Sequence, residues 1–128
     1  MRGYNPPHLR FDGMSQAVRS GDFVVLSGQV ALDASARIGT DDPYEQARQC
    51  FENIGLALAE AGATLAQVTK LVCYLTDAAH FSSYSKAKGE VFPVDGAPAS
   101  TTVVVSALLD PRMLLEVEAW AYVGESSE

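Results

Sequence analysis

Apolar and polar residues alternate along Leu115-Glu116-Val117-Glu118-Ala119-Trp120-Ala121-Tyr122, which predicts a β-strand with Leu115, Val117, Ala119 and Ala121 on one face. Glu116, Glu118, Trp120 and Tyr122 then share the other. Two carboxylates beside two large aromatics suit either a solvated outer face or a carboxylate at the edge of a pocket. Residues 98–105, Pro98-Ala99-Ser100-Thr101-Thr102-Val103-Val104-Val105, read as a second strand. Earlier in the chain, Ala17-Val18 and Phe23-Val24-Val25-Leu26 flank a Ser20-Gly21-Asp22 hairpin turn. Asp42-Pro43 gives a helix start, and Ala47, Phe51, Ile54, Leu58 and Ala61 recur at helical spacing before Gly62. Residues 68–76 are rich in β-branched and aromatic types. Asp77 then caps a second predicted helix carrying Phe81, Tyr84, Val91 and Phe92.

The resulting order, ββ-α-β-α-ββ, predicts an α+β fold of two layers, a mixed sheet with both helices on one face. The opposite face is expected to hold Tyr74, Thr102, Val104, Trp120 and Tyr122. So apolar a face predicts a homo-oligomer in which sheets pack against their neighbours.

The chain has 128 residues, 48% hydrophobic and 20% charged, the balance of an ordinary globule. That length predicts a single domain over 1–128. No apolar run approaches about 18 residues, so no membrane span is expected. Met1-Arg2-Gly3-Tyr4-Asn5-Pro6-Pro7 lacks the apolar core of a signal peptide, and a cytoplasmic location is expected. The net charge of −7, with the nine basic residues scattered, argues against a nucleic-acid partner. His8 and His80 are isolated, and neither a metal-ligand spacing nor a phosphate loop is present, so no metal or cofactor is expected. Cys50 and Cys73 fall in a predicted helix and strand, where they read as buried thiols.

Several short pieces carry a family pattern through their order and spacing: Ser15-Gln16-Ala17-Val18, Ser27-Gly28-Gln29-Val30, Asn53-Ile54-Gly55, Ala61-Gly62, Tyr74-Leu75-Thr76-Asp77, Phe81, Phe92, Pro98-Ala99 and Glu116-Val117-Glu118-Ala119. Over nearly its whole length the chain resembles the Rid family, the reactive-intermediate (enamine/imine) deaminases also called the YjgF family. The resemblance implies a chorismate-mutase-like fold, a homotrimer with three sheets around a central barrel, and small-molecule clefts at the subunit seams. It also implies hydrolysis of 2-imino acids to 2-oxo acids and ammonia. In that pattern an arginine follows Pro-Ala and clamps the substrate carboxylate, but Ser100 stands here. A tyrosine becomes Met14, an asparagine in the second helix becomes Ser85, and a cysteine becomes Thr102. The glutamate that orients the attacking water is kept as Glu116, and Gly28 keeps its place beside the pocket.

A guanidinium–carboxylate fork is stronger than a neutral hydrogen bond by about 1–2 kcal/mol, and serine cannot replace it. Arg112 could supply a cation from another direction, or could be a solvated loop residue. Backbone N–H near Gly28 could hold a ligand oxygen. Ser85, Ser100 and Thr102 offer neutral hydrogen bonds, while Met14 and Tyr74 offer apolar walls. Such a pocket is expected to suit a ligand less anionic than a 2-imino acid. Each residue also has a structural reading, with Met14 as core filler, Tyr74 as barrel packing, Ser85 as helix surface and Glu116 as an interface glutamate.

A regular hairpin over 107–115 would set Glu116 opposite Ser106 and Ser100 opposite Tyr122, leaving Ser100 and Glu116 about 20 Å apart. A pocket using both would then need two chains. Two functions remain open. One is a divergent deaminase in which Glu116 orients water and shuttles a proton without an arginine clamp. The other is a non-catalytic binding or interaction trimer on the same fold. Endoribonuclease activity, also attached to relatives, fits poorly with so acidic a chain.

Overall fold

The computed structural model describes residues 2–124. Its elements are β1 (Arg2–Tyr4), β2 (Ala17–Ser20), β3 (Phe23–Leu26), α1 (Pro43–Glu60), β4 (Val68–Leu75), α2 (Phe81–Val91), β5 (Ala99–Val104) and β6 (Leu115–Tyr122). The short β1 is absent from the sequence reading, because three residues carry no periodicity. The other elements appear where the pattern places them, except that Phe92 follows α2 as its C-cap.

Local signals account for the first helix. The Asp42 carboxylate accepts from the Glu45 N–H at 3.2 Å, satisfying one free donor of the first turn. Gly62, at φ +80°, ends the helix in the left-handed conformation that glycine adopts without penalty. Arg19 on β2 donates from Nη1 to the Ala61 carbonyl at 3.0 Å, setting a cation at the negative end of the helix dipole. The predicted stripe from Ala47 to Ala61 is buried throughout.

The strands form one mixed sheet in the order β1-β2-β3-β6-β4-β5. Only β4 and β5 run parallel, joined by the α2 crossover; the other pairs are antiparallel. The expected hairpin between the last two strands does not form. Strand β4 lies between them, pairing β6 on one side and β5 on the other. Alternation within a strand carries no information about its neighbour, and the 105–114 connection is long enough to pass over the end of β4.

The same register corrects the face of two residues. Thr102 pairs with Cys73 and Val104 with Leu75, both buried under the helices. Thr101 and Val103 are the β5 residues that share the open face with Val72 and Tyr74. The helix-covered face holds Leu71, Cys73, Leu75, Leu115, Val117, Ala119 and Ala121 in a closed core. There Phe51 of α1 stacks on Tyr84 of α2 and meets Phe92 edge-on, both at 5.8 Å between ring centres. On the uncovered face Phe23, Val25, Val103 and Tyr122 stay exposed, Phe23 at 60%.

Candidate active site

Glu116 sits near the start of β6 on the open face. Segment 28–30 runs beside it, held by a two-way bridge in which Gln29 N–H donates to the Val117 carbonyl at 2.7 Å and Val117 N–H returns the bond at 3.0 Å. Four buried side-chain amides lock the surrounding loops. Asn53 of α1 donates to the carbonyls of Val30 and Leu32 at 3.0 and 2.8 Å. Gln29 donates to the Gln16 side chain at 2.7 Å, and Gln16 to the Leu9 carbonyl at 2.8 Å. Gln46 bonds the carbonyls of Thr40 and Arg112 and accepts from Leu114 N–H, tying α1 to the 110–114 loop. Buried amides satisfied in this way impose one loop geometry, because any other would leave them unpaired.

These loops enclose a cavity of about 370 Å³. Leu9, Phe11, Met14, Val30, Leu32 and Met113 supply apolar walls, and Glu116 with Gly28 supplies the polar end. Gly28 is required by contact: a Cβ there would overlap the Glu116 carboxylate, lying 2.7 Å from its carboxyl carbon. Among the described residues no protein donor bonds this half-buried carboxylate. Burial first, and the nearby Glu118 charge second, push its pKa above the ordinary glutamate value. The arrangement can accept a hydrogen bond from a water or ligand, and the carboxyl keeps its proton to higher pH than an ordinary glutamate does.

Of the residues singled out from sequence, Met14, Gly28 and Glu116 meet in this cavity. Tyr74 is the register partner of Glu116 on β4, but its hydroxyl donates to Glu118, which also raises the phenol pKa. Ser85, Ser100 and Thr102 belong elsewhere. Ser100 pairs with Leu71 on the helix-facing side of β5, while Glu116 pairs with Tyr74 on the open side. The two are three positions and two strands apart, roughly 14 Å at ordinary sheet spacings, rather than the 20 Å of the hairpin reading.

Arg112 does not approach Glu116's cavity. Its guanidinium grips Asp110 through two bonds of 3.1 and 2.7 Å, holding that carboxyl down at about 2. The cation that does stand at Ser100 is Lys88 of α2, with Nζ 3.3 Å from Oγ. Sequence reasoning missed it, since twelve residues and a loop separate the two and neither lies in a motif. Both cysteines are buried and unpaired, with burial raising each thiol and pushing Cys73 up to about 12. No described helix is long and apolar enough to cross a membrane.

The sequence profile of the family described as Endoribonuclease L-PSP matches residues 10–123. The RutC family protein PYRAB12510 of Pyrococcus abyssi is 38% identical over 110 residues, 84% of each chain. The crystal structure of Rv2704 from Mycobacterium tuberculosis, a member of the YjgF/YER057c/UK114 family, is 36% identical with a TM-score of 0.78, covering 88% of both chains. YyfA of Yersinia pestis, from the conserved Rid protein family, is 28% identical with a TM-score of 0.85, covering 91% of this chain and 92% of its own. The chain belongs to the Rid (YjgF) family. Its sheet and two helices are the chorismate-mutase-like fold of that family.

Proposed function

We propose that this protein hydrolyses a small imine or enamine, releasing ammonia and a carbonyl compound, with Glu116 as the proton-handling group. One observation carries the reading: a half-buried carboxylate without a donor among the described residues, seated on Gly28 at the polar end of a ligand-sized cavity. An enamine first takes a proton at carbon and becomes the imine. Water held by Glu116 then adds its oxygen to the imine carbon, and the water proton passes through the carboxylate to nitrogen. In the second step the carboxylate carries the carbinolamine's hydroxyl proton to nitrogen, the carbon–nitrogen bond breaks, and ammonia leaves as the carbonyl forms. A carboxyl with a raised pKa serves both directions of transfer, which a fully ionised one does less well.

Met14, Gly28, Tyr74, Ser85, Ser100 and Thr102 are proposed to shape binding around that chemistry. The cavity is too confined for a macromolecule, and no cofactor enters the scheme. Assembly as a homotrimer, open faces inward, is supported by the apolar residues left bare there, Phe23, Val25 and Val103 among them. In that arrangement a ligand meets Glu116 of one copy and the Ser100 edge of the next. Buried, unpaired thiols suit a reducing compartment such as the cytoplasm.

The test is ammonia release from a panel of freshly generated imines. Glu116→Gln is expected to lower turnover by about 10²-fold or more, the scale of general acid–base catalysis. Equal rates for both proteins would sink the assignment. The apolar lining favours one second reading, a binding protein without chemistry, in which wild type binds panel members but releases no ammonia.

A further inference from the structure

The cavity that holds Glu116 offers a ligand one charge, and that charge is negative. Among the described residues that line it, none is Lys, Arg or His. Arg112 stands in the chain between the lining residues Leu109 and Met113, yet its guanidinium is bound to Asp110. Lys88 lines a separate cavity with Ser85, Phe92 and Pro98. The two lining amides have little left to give. Gln29 donates from Nε2 to the Gln16 side chain and the Ser27 carbonyl at 2.7 and 3.0 Å, and Gln16 donates to the Leu9 carbonyl. The polar end is therefore an acceptor that calls for a donor. Around it Phe11, Met14 and Leu109 keep exposed side chains, apolar surface that this chain leaves in water. A ligand body laid against such surface gains about three- to fourfold in affinity for each methylene covered.

We infer that this site takes an imine with an apolar body and no carboxylate, formed from an apolar aldehyde or ketone, whose nitrogen donates to Glu116. An imine nitrogen carries N–H and, when protonated, a positive charge, so it matches the acceptor in both hydrogen bonding and sign. A carboxylate on the same ligand would share a confined space with Glu116 and meet no balancing charge among the lining residues. The cavity, about 370 Å³, holds about a dozen non-hydrogen atoms at roughly 30 Å³ each, the share of a water in the liquid. Met14 and Met113 suit bodies of varied shape, because a flexible thioether repacks around what it meets. The inference rests on the proposed function and narrows its substrate. Its test reads the binding of amines, which cannot be hydrolysed, so the two can fail separately.

Calorimetric titration of the full-length protein with hexylammonium chloride is expected to show saturable binding, with sodium hexanoate about tenfold weaker or more. Amide NMR should place the bound amine at Gly28–Val30 and Leu115–Val117. Affinity should rise about three- to fourfold per methylene from propylamine to hexylamine. Glu116→Gln should weaken hexylammonium about tenfold, as loss of a charge-assisted bond implies, and leave hexanol within about threefold. Leu109→Ser, at a fully exposed side chain, should weaken hexylamine more than propylamine. Hexanoate binding as tightly as hexylammonium, the result if Lys88 of another copy reached the ligand, would overturn the inference. So would a flat chain-length series, or a Glu116→Gln protein that keeps its preference for the amine. Amine binding of the expected pattern without ammonia from any imine would fault the proposed chemistry and uphold the selectivity of the pocket.

Discussion

The two faces of the sheet are built from the same strands yet obey different rules. On the helix-covered side Leu71, Cys73 and Leu75 of β4 and each second residue of β6 are fully buried, and α1 and α2 close over them. On the open side the alternate residues are a mixture of aromatics, valines, a lysine and two glutamates, none of them sealed by this chain. The first face supplies the stability of the fold. The second is left uncovered by the described residues, as the proposed trimer requires. Glu116 can sit half-buried with a raised pKa because the neighbouring Leu115 and Val117 already hold the strand in place.

Substitutions on the two sides should therefore part company. Leu71→Ala, in the closed core, is expected to cost about 2–5 kcal/mol in chemical denaturation. Val103→Ser, on the open face, should cost under about 0.5 kcal/mol at concentrations where the chain is monomeric. A larger loss at higher concentration would report that this valine is covered by another copy, and sedimentation of both proteins checks the mass. Gly28→Ala should be intermediate, about 1–3 kcal/mol for an overpacked site, and should also displace Glu116 and lower ammonia release.

The smallest effect is one of pH. Glu116 has a folded-state pKa above its unfolded value, so the native state holds the proton longer as pH rises. Its contribution is fully present below the ordinary glutamate pKa and is lost as pH rises through the raised one. Glu116→Gln should accordingly gain thermal stability relative to wild type at neutral pH and lose that advantage near pH 4. A constant difference across the range would mean that burial does not set this carboxyl's proton affinity.

What the sequence discloses of this design is what depends on near neighbours. Asp42, Pro43 and Gly62 mark the first helix because capping and chain reversal involve residues within one turn. The buried identity of Leu115, Val117, Ala119 and Ala121 follows from strand geometry alone. Pairing is different, since β5 could satisfy its hydrogen bonds along β6 or along β4 with no change in its own pattern. The wrong partner turned Thr102 and Val104 toward the wrong face. Met14, Gly28 and Glu116 were recoverable as a group only through the family pattern, because the amides of Gln16, Gln29 and Asn53 that draw them together span the chain. Lys88 had no such guide.

The crossover from β4 through α2 to β5 places the lysine and the serine it touches at the two ends of one short connection, while the glutamate belongs to a strand on the far side of β4. Lengthening or shortening the 92–98 loop would shift the reach of that amine without disturbing the acid. Changes in that loop could therefore vary one end of the open face while the strand that carries the acid stays as it is.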